Sequence, residues 1–217
     1  MKASIFLNLI LAIALVALTI MCVIQRKTIK EATPADEIES EETSIKEWRQ
    51  IPIDSANLNC FKIFQDAAAL TVGKPDSMNS MTIGWGSLGI IWGKDRHTIT
   101  VYVRHSRFTH HLMEQNETFT VEAFAPEYAE KLQYLGTASG RDENKMKGSG
   151  LTVKTMPCGA PAFEEGNLIL ECRKIFTTDY ATTQMDSSIV QRWYTKGEDF
   201  DNVHTAYVGE IIGVWVK

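Results

Sequence analysis

The run Thr98-Ile99-Thr100-Val101-Tyr102-Val103-Arg104-His105-Ser106-Arg107-Phe108-Thr109 changes its period half-way along. Up to Arg104, apolar Ile99, Val101 and Val103 alternate with Thr98, Thr100 and Tyr102, the two-residue repeat of a strand with one buried face. After Arg104 the alternation stops, and a helical pattern follows over Thr109 to Asn116. A strand that turns straight into a helix start leaves free N–H groups and the positive end of the helix dipole pointing outward. Arg104, Arg107 and the Ser106 hydroxyl, with Thr109 at the N-cap position, then form a receptor suited to a phosphate. The same residues also suit a plain capped helix with two solvated arginines, and spacing alone does not separate the two.

Outward from this run, strand signals dominate. Short β-branched or aromatic runs occur at Phe61 to Phe64, Ala69 to Val72, Phe119 to Phe124, Leu168 to Phe176 and Tyr207 to Val216. Besides Thr109 to Asn116, helical periodicity is confined to Pro126 to Leu135, closed by Gly136, and Arg141 to Lys147, closed by Gly148. No internal repeat is visible. Strands that are not interleaved with long crossover helices fit a mostly β domain, a barrel with a few short helices, better than a doubly wound parallel sheet.

A second constellation is Asn79-Ser80-Met81-Thr82-Ile83-Gly84-Trp85-Gly86-Ser87-Leu88-Gly89, followed by Trp92-Gly93-Lys94. Its glycines let backbone approach a ligand, its tryptophans offer flat apolar faces, and Asn79 and Thr82 add short hydrogen-bonding groups suited to a planar heterocycle. The dinucleotide and Walker fingerprints are absent. A glycine-rich strand with core tryptophans is the competing reading. In Ser139-Gly140-Arg141-Asp142, Arg141 and Lys145 at i and i+4 share a helical face and bring two cations to one anion, or else form a solvated loop. His110-His111-x-x-Glu114 is a fragment of a metal motif on one short helix, read as solvent-facing, so no metal is expected. Asn116-Glu117-Thr118 matches a glycosylation sequon by chance.

Charge divides the 217-residue chain. Residues 1–30 carry Lys2, Arg26, Lys27 and Lys30 and no acid; residues 31–47 carry seven acids against Lys46; the remainder is close to neutral, and the total is -5. Such a domain presents no broad basic surface, which excludes nucleic acid as a partner. Cys22, Cys60, Cys158 and Cys172 lack metal-binding or disulfide-framework spacing and read as structural thiols. The apolar run over residues 3–24 is long enough to span a hydrocarbon core. An uncleaved anchor is favoured over a cleaved export signal or a lipoprotein signal at Cys22, and the cations after the run favour a cytoplasmic domain. The chain thus reads as a membrane segment (1–30), an acidic tether (31–47) and a functional domain (48–217).

Taken in series, Asn79-Ser80-Met81-Thr82 with Trp85-Gly86, Val103-Arg104-x-Ser106-Arg107-Phe108-Thr109, Phe119-Thr120-Val121, Gly136-Thr137-x-Ser139-Gly140-Arg141-Asp142-x-x-Lys145 and Tyr207-x-Gly209-Glu210-Ile211 resemble the flavoredoxin-like branch of the flavin reductase family. The resemblance covers nearly all of 48–217. It implies an FMN-binding split β-barrel, usually a homodimer with the flavin near the subunit interface. It would place Asn79, Met81, Thr82 and Trp85 along the isoalloxazine and ribityl, with main-chain groups of Met81, Thr82, Ile83, Gly84 and Trp85 on the ring. Arg104, Ser106, Arg107, Thr109 and Lys145 would surround the phosphate. His204 would approach the flavin or the dimer partner, or serve as a buried structural histidine. Two departures stand out: His105 occupies a position where the family often has proline, and Leu135 lies where it often has cysteine, which removes any thiol role there. The activity implied is transfer of reducing equivalents from NADH or NADPH to FMN and on to a flavin or redox-protein acceptor, with no catalytic side chain required. The alternative is an FMN electron carrier or sensor that does not turn over nicotinamide.

Overall fold

The computed structural model describes residues 47–195 and 202–217. The expected membrane segment at 3–24 and all but the last residue of the tether at 31–47 lie outside the described residues. Among the described residues, no helix is long and apolar enough to cross a membrane.

The elements follow in the order β1 (Arg49–Ile51), α1 (Cys60–Gln65), β2 (Ala68–Val72), β3 (Asn79–Ile83), β4 (Gly86–Ile90), β5 (His97–Arg104), α2 (Phe108–Gln115), β6 (Thr118–Ala123), α3 (Ala129–Thr137), α4 (Lys145–Ser149), β7 (Val153–Thr155), β8 (Pro161–Phe163), β9 (Leu168–Asp179), α5 (Ser187–Trp193) and β10 (His204–Val216). Eight strands make one antiparallel sheet along the path β3-β2-β6-β9-β10-β5-β4, with β1 added to β10, while β7 and β8 form a separate hairpin. The two ends of that path, β3 and β4, are consecutive in the chain and joined only by Gly84-Trp85. Three residue steps reach roughly 10 Å. The sheet must therefore curl until its edges nearly meet at this corner, without the hydrogen bonds that would seal them: a split barrel.

The interior is filled by the faces that alternation predicts. Ile99, Val101 and Val103 are fully buried, packed with Leu70, Val72, Phe119 and Tyr207. Strand β2 is buried on both faces, because Ala69 packs outward against Leu132 and Leu135 of α3 and Phe163 of β8. Beneath β8 lies the buried Glu122, bonded to the Thr71 and Thr120 hydroxyls and to the Phe163 N–H. Burial pushes its carboxyl up to about 8, against the hydrogen bonds that favour ionisation.

Several local expectations are corrected. Phe61 to Phe64 is helical, not extended: Asn59 caps the Lys62 N–H, and only Ile63 and Phe64 of that run are buried. The Phe64 ring occupies the space where a side chain at Gly86 would stand, since a Cβ there would meet it at 2.0 Å. Gly136 does not stop its helix, because α3 continues to Thr137; it is instead the point where α3 touches β3, with a Cβ falling 2.3 Å from Thr82 Oγ1. The helix expected from Arg141 begins only at Lys145, after an Asn144 cap, and ends at left-handed Gly150 rather than at Gly148. The Asn79 to Gly89 segment is two strands and a corner, and its tryptophan is no core residue: Trp85 is 40% exposed. Strands β1, β7 and β8, three residues each, are too short to show a period. Cys60, Cys158 and Cys172 are free thiols.

Candidate functional site

The corner of the barrel assembles the site. Antiparallel pairing of β10 with β5 sets His204 opposite Arg104, and pairing of β4 with β5 sets Gly86 opposite Val101, so Trp85 enters the same end of the sheet. A cavity of about 290 Å³ opens there, walled by the chain from Met81 to Trp85, by Tyr102 and Arg104 of β5, by Arg107, and by Trp193 and His204. The Trp85 ring meets Trp193 edge-on at 5.0 Å and lies 5.0 Å from the tilted His204 ring. His204 is buried, and its Nδ1 hydrogen-bonds the Tyr194 hydroxyl at 2.8 Å. Arg104, 8% exposed, donates to the Asn202 and Trp193 carbonyls at 3.0 Å each and lies over the Tyr194 ring.

A second cavity, about 270 Å³, adjoins the first and shares Met81, Thr82 and Arg107 with it. It lies between the start of α2, the end of α3 and the start of α4. Ser106, Arg107 and Thr109 come from the first, Gly136 and Thr137 from the second, and Arg141 and Lys145 from the third. Asn79 closes its floor, donating from Nδ2 to Thr109 Oγ1 at 2.7 Å. A side chain at Gly140 would strike Asn79 Oδ1 at 2.4 Å, so the loop packs directly on that floor. Arg141 donates to the Ser106 carbonyl at 2.7 Å, tying the loop to the turn.

The electrostatics of this cavity are one-sided. Lys145, 4% exposed, donates from Nζ to the Leu135 and Ala138 carbonyls at the end of α3, a favourable place for a cation. Burial, and then the neighbouring Arg107 guanidinium, pull its ammonium down to about 8, only partly opposed by Glu143. Among the described residues, no carboxylate lines the cavity. A site that gathers a buried ammonium, two guanidiniums, hydroxyls and a helix start without an acid favours an anion.

All eleven residues singled out from the sequence border these two cavities, although not in the expected grouping. Ser106, Arg107, Thr109 and Lys145 meet in the cation-lined space, whereas Arg104 faces the aromatic one. Asn79 lies at the floor of the cation-lined space rather than along the aromatic wall. Sequence reasoning missed Tyr102 and Trp193. Trp193 had a signal: Asp186-Ser187-Ser188 is a helix start, and the Asp186 carboxylate accepts the Ser188 N–H at 2.8 Å, opening the helix that delivers Trp193.

A family model described as the flavin reductase like domain matches residues 68–217. Among solved structures, flavoredoxin from Methanosarcina acetivorans is 23% identical with a TM-score of 0.54, covering 70% of this chain and 68% of its own. An FMN-binding protein from Thermus thermophilus, with bound 1-cyclohex-2-enone, is 19% identical with a TM-score of 0.52 over 69% of each chain. Nitrilotriacetate monooxygenase component B from Bacillus cereus is 14% identical with a TM-score of 0.52, over 68% of this chain and 67% of that one. An uncharacterized protein of Archaeoglobus fulgidus is 30% identical over 115 residues, so the match spans about half of each protein, 52% of this chain and 53% of that relative.

Proposed function

The chain belongs to the flavin reductase like domain family, and from that premise we propose that it is a flavoprotein oxidoreductase that binds FMN across the two adjoining cavities. In this reading NADH or NADPH is the electron donor and a flavin or redox protein the acceptor. One observation carries it: a cation cluster with no acid among its described lining residues and an aromatic, backbone-lined space meet at Met81, Thr82 and Arg107. An elongated ligand with an anionic end and a planar end fits that pair, and the two spaces together fall within the roughly 300–1,000 Å³ usual for ligand sites.

The residues present suit FMN. Arg107, Ser106, Thr109 and Lys145 would hold the phosphate, and Thr82 and Asn79 would reach toward the ribityl hydroxyls. The main chain from Met81 to Trp85 would hydrogen-bond the ring edge, beside Trp85 and His204. FMN, when bound, supplies the chemistry, accepting a hydride and releasing electrons singly or in pairs. The chain binds and orients it, and the Trp85, Trp193 and Tyr102 side chains limit the access of water and oxygen. No side chain is assigned an acid or base role. Purified full-length protein should take up FMN with a yellow visible spectrum, one per chain; a protein that stays colourless with excess FMN refutes the reading.

The likeness to flavoredoxin favours a second reading, an FMN electron carrier that does not oxidise nicotinamide. Anaerobic mixing of the FMN-loaded protein with NADH and with NADPH separates them, since bleaching marks the reductase and reduction by dithionite alone marks the carrier. The proposal extends to a homodimer and to a membrane tether at residues 3–24 with the domain in the cytoplasm. Light scattering should give twice the chain mass, and protease added to intact cells should leave the domain uncut.

A further inference from the structure

Outside the two cavities, four elements converge on the Thr205 hydroxyl. His105 follows β5, His110 stands in the first turn of α2, Asp179 ends β9, and Thr205 lies on β10 directly opposite Asp179 and Val103. His105 Nε2 is 3.0 Å from Asp179 Oδ1 and 3.1 Å from Thr205 Oγ1, and His110 Nε2 is 2.9 Å from the same hydroxyl. Thr205 in turn donates to Asp179 Oδ1 at 2.5 Å. One ligand atom from each of His105, His110 and Asp179 lies within 4.8 Å of the others.

From this geometry we propose a binding site for a divalent first-row transition cation, with His105, His110 and Asp179 as ligands and Thr205 orienting the carboxylate. Bonds of about 2.0–2.1 Å to nitrogen and oxygen in a tetrahedral site set the ligands about 3.4 Å apart. The His105–Asp179 separation of 3.0 Å is a few tenths of an ångström shorter and no pair of ligand atoms is more than 4.8 Å apart, so the exposed His105 and Asp179 side chains and the half-buried His110 ring must draw together around the ion. Two imidazoles and one carboxylate without a thiolate suit Zn²⁺, Co²⁺ or Ni²⁺ rather than Ca²⁺ or Mg²⁺. The backbone is already fixed by the β5-β10-β9 pairings, and the His105 N–H donates to the Val203 carbonyl. The His105 and Asp179 side chains are 40% and 60% exposed, leaving an entry path and room for a water as fourth ligand.

The sequence fragment His110-His111-x-x-Glu114 is split by the fold. His111 Nε2 pairs with the Gln115 amide, and Glu114 accepts from the Tyr207 hydroxyl, so neither joins His110. The partner of His110 is His105, five residues back, and the residues between them include Ser106 and Arg107. A cation held here would therefore clamp the turn that carries two of the anion-binding groups.

The test is a titration of the full-length chain, freed of affinity tag and stripped with EDTA, with Co²⁺ followed by Zn²⁺ in competition. One equivalent of Co²⁺ with a visible ligand-field band, displaced by one Zn²⁺, is expected. His105→Ala, His110→Ala and Asp179→Asn should each weaken Zn²⁺ binding at least about tenfold, the order of loss seen even for outer-shell changes at metal sites. His111→Ala should leave it unchanged. Zn²⁺ should raise the melting temperature of the wild type and not of Asp179→Asn, which keeps the hydrogen-bonding shape and guards against a misfolded alanine variant. Absence of saturable binding, or affinity retained in the His105→Ala/His110→Ala double variant, would overturn the site, whatever the outcome of the FMN experiment.

Discussion

The two cavities that meet at Arg107 are made of opposite materials. The cation-lined space is assembled from three helix ends and places Arg107, Arg141 and Lys145 together, with no carboxylate among the described residues of its wall. The aromatic space is assembled from strand ends and is largely satisfied by itself: Trp85 packs on Trp193 and His204, and Arg104 is already bonded to two carbonyls. The first stores unfavourable electrostatics that an anion relieves. The second offers shape and a dry wall but little unmet demand. Affinity for FMN should therefore come mainly from the first, and control of access and electronics from the second.

The sharpest break of that comparison is Arg107→Ala. A charge-assisted hydrogen bond contributes about 1.5–3 kcal/mol, so the loss of FMN affinity should be on the order of 100-fold, read by fluorescence quenching of the free flavin. Arg104→Ala should behave differently, lowering the melting temperature, because it removes the donor to the Trp193 and Asn202 carbonyls, while affinity falls only a few-fold. Equal losses in the two variants would place the phosphate beside Arg104 and reverse the assignment of the two cavities.

Lys145→Met comes next, with an expected loss of roughly tenfold at neutral pH. The sign of its pH dependence follows from an ammonium drawn down to about 8. Below that value the lysine is charged and attracts the phosphate; above it the charge is lost, so affinity should weaken as pH rises through about 8. The bound anion raises the lysine's pKa, so binding near that pH takes up protons. The methionine variant should bind weakly with a flat profile over the same range.

How much of this was legible in the sequence depends on how local the signal is. The alternation in Thr98 to Arg104 located the strand and the turn within a residue or two, but Thr109 is not the N-cap: the helix starts at Phe108 after Arg107, which makes no side-chain cap bond, and the Thr109 hydroxyl instead accepts from Asn79. Arg104 lines a different cavity from Ser106, Thr109 and Lys145, a separation not legible in the sequence, because adjacency to Arg107 says nothing of which side of a β-to-α turn a long side chain takes. That direction is set by β10, a hundred residues later, through the His204–Arg104 register. Phe61 to Phe64 was misread because three apolar residues around Lys62 are too short a run to carry a period of their own, and a cap at Asn59 outweighs their β propensity. Gly136 illustrates a third limit: its lack of a side chain answers a tertiary contact with Thr82, not a helix end. The His105–His110–Asp179 cluster was invisible for the same reason, since its third member arrives from β9.

Trp85→Ala probes the aromatic side with a smaller expected change in binding. Aromatic packing of this kind contributes about 0.5–1.5 kcal/mol, which corresponds to a two- to tenfold weaker FMN complex. The larger effect should be on exposure: the reduced protein should reoxidise in air faster than the wild type in stopped-flow traces. A variant with unchanged reoxidation and a 100-fold weaker complex would mean that Trp85 is an affinity determinant and that the division between the two cavities is wrong.

The smallest effect on binding is expected from Glu122→Gln, because this carboxyl lies beneath β8 and borders neither cavity. Its influence is on folding. The folded-state value of about 8 lies above the ordinary carboxyl value of 4.5, so at neutral pH the group is buried as a neutral acid. A protonated carboxyl also resolves the hydrogen-bond count: Thr71 bonds both Ser80 and Glu122 but has one hydroxyl proton. With the acid donating to Thr71, that proton is left for Ser80. The stabilisation from holding this proton is fully present below the unfolded pKa and declines as pH rises toward and through the folded one. Denaturant midpoints of the wild type should therefore fall between about pH 5 and pH 8.5. Glutamine donates from its amide to Thr71 and accepts from Phe163 at every pH, so the variant should lose most of that slope while its FMN affinity stays within twofold. A wild-type slope that survives the substitution would assign it to other groups, and an affinity change would tie the β8 network to the site after all.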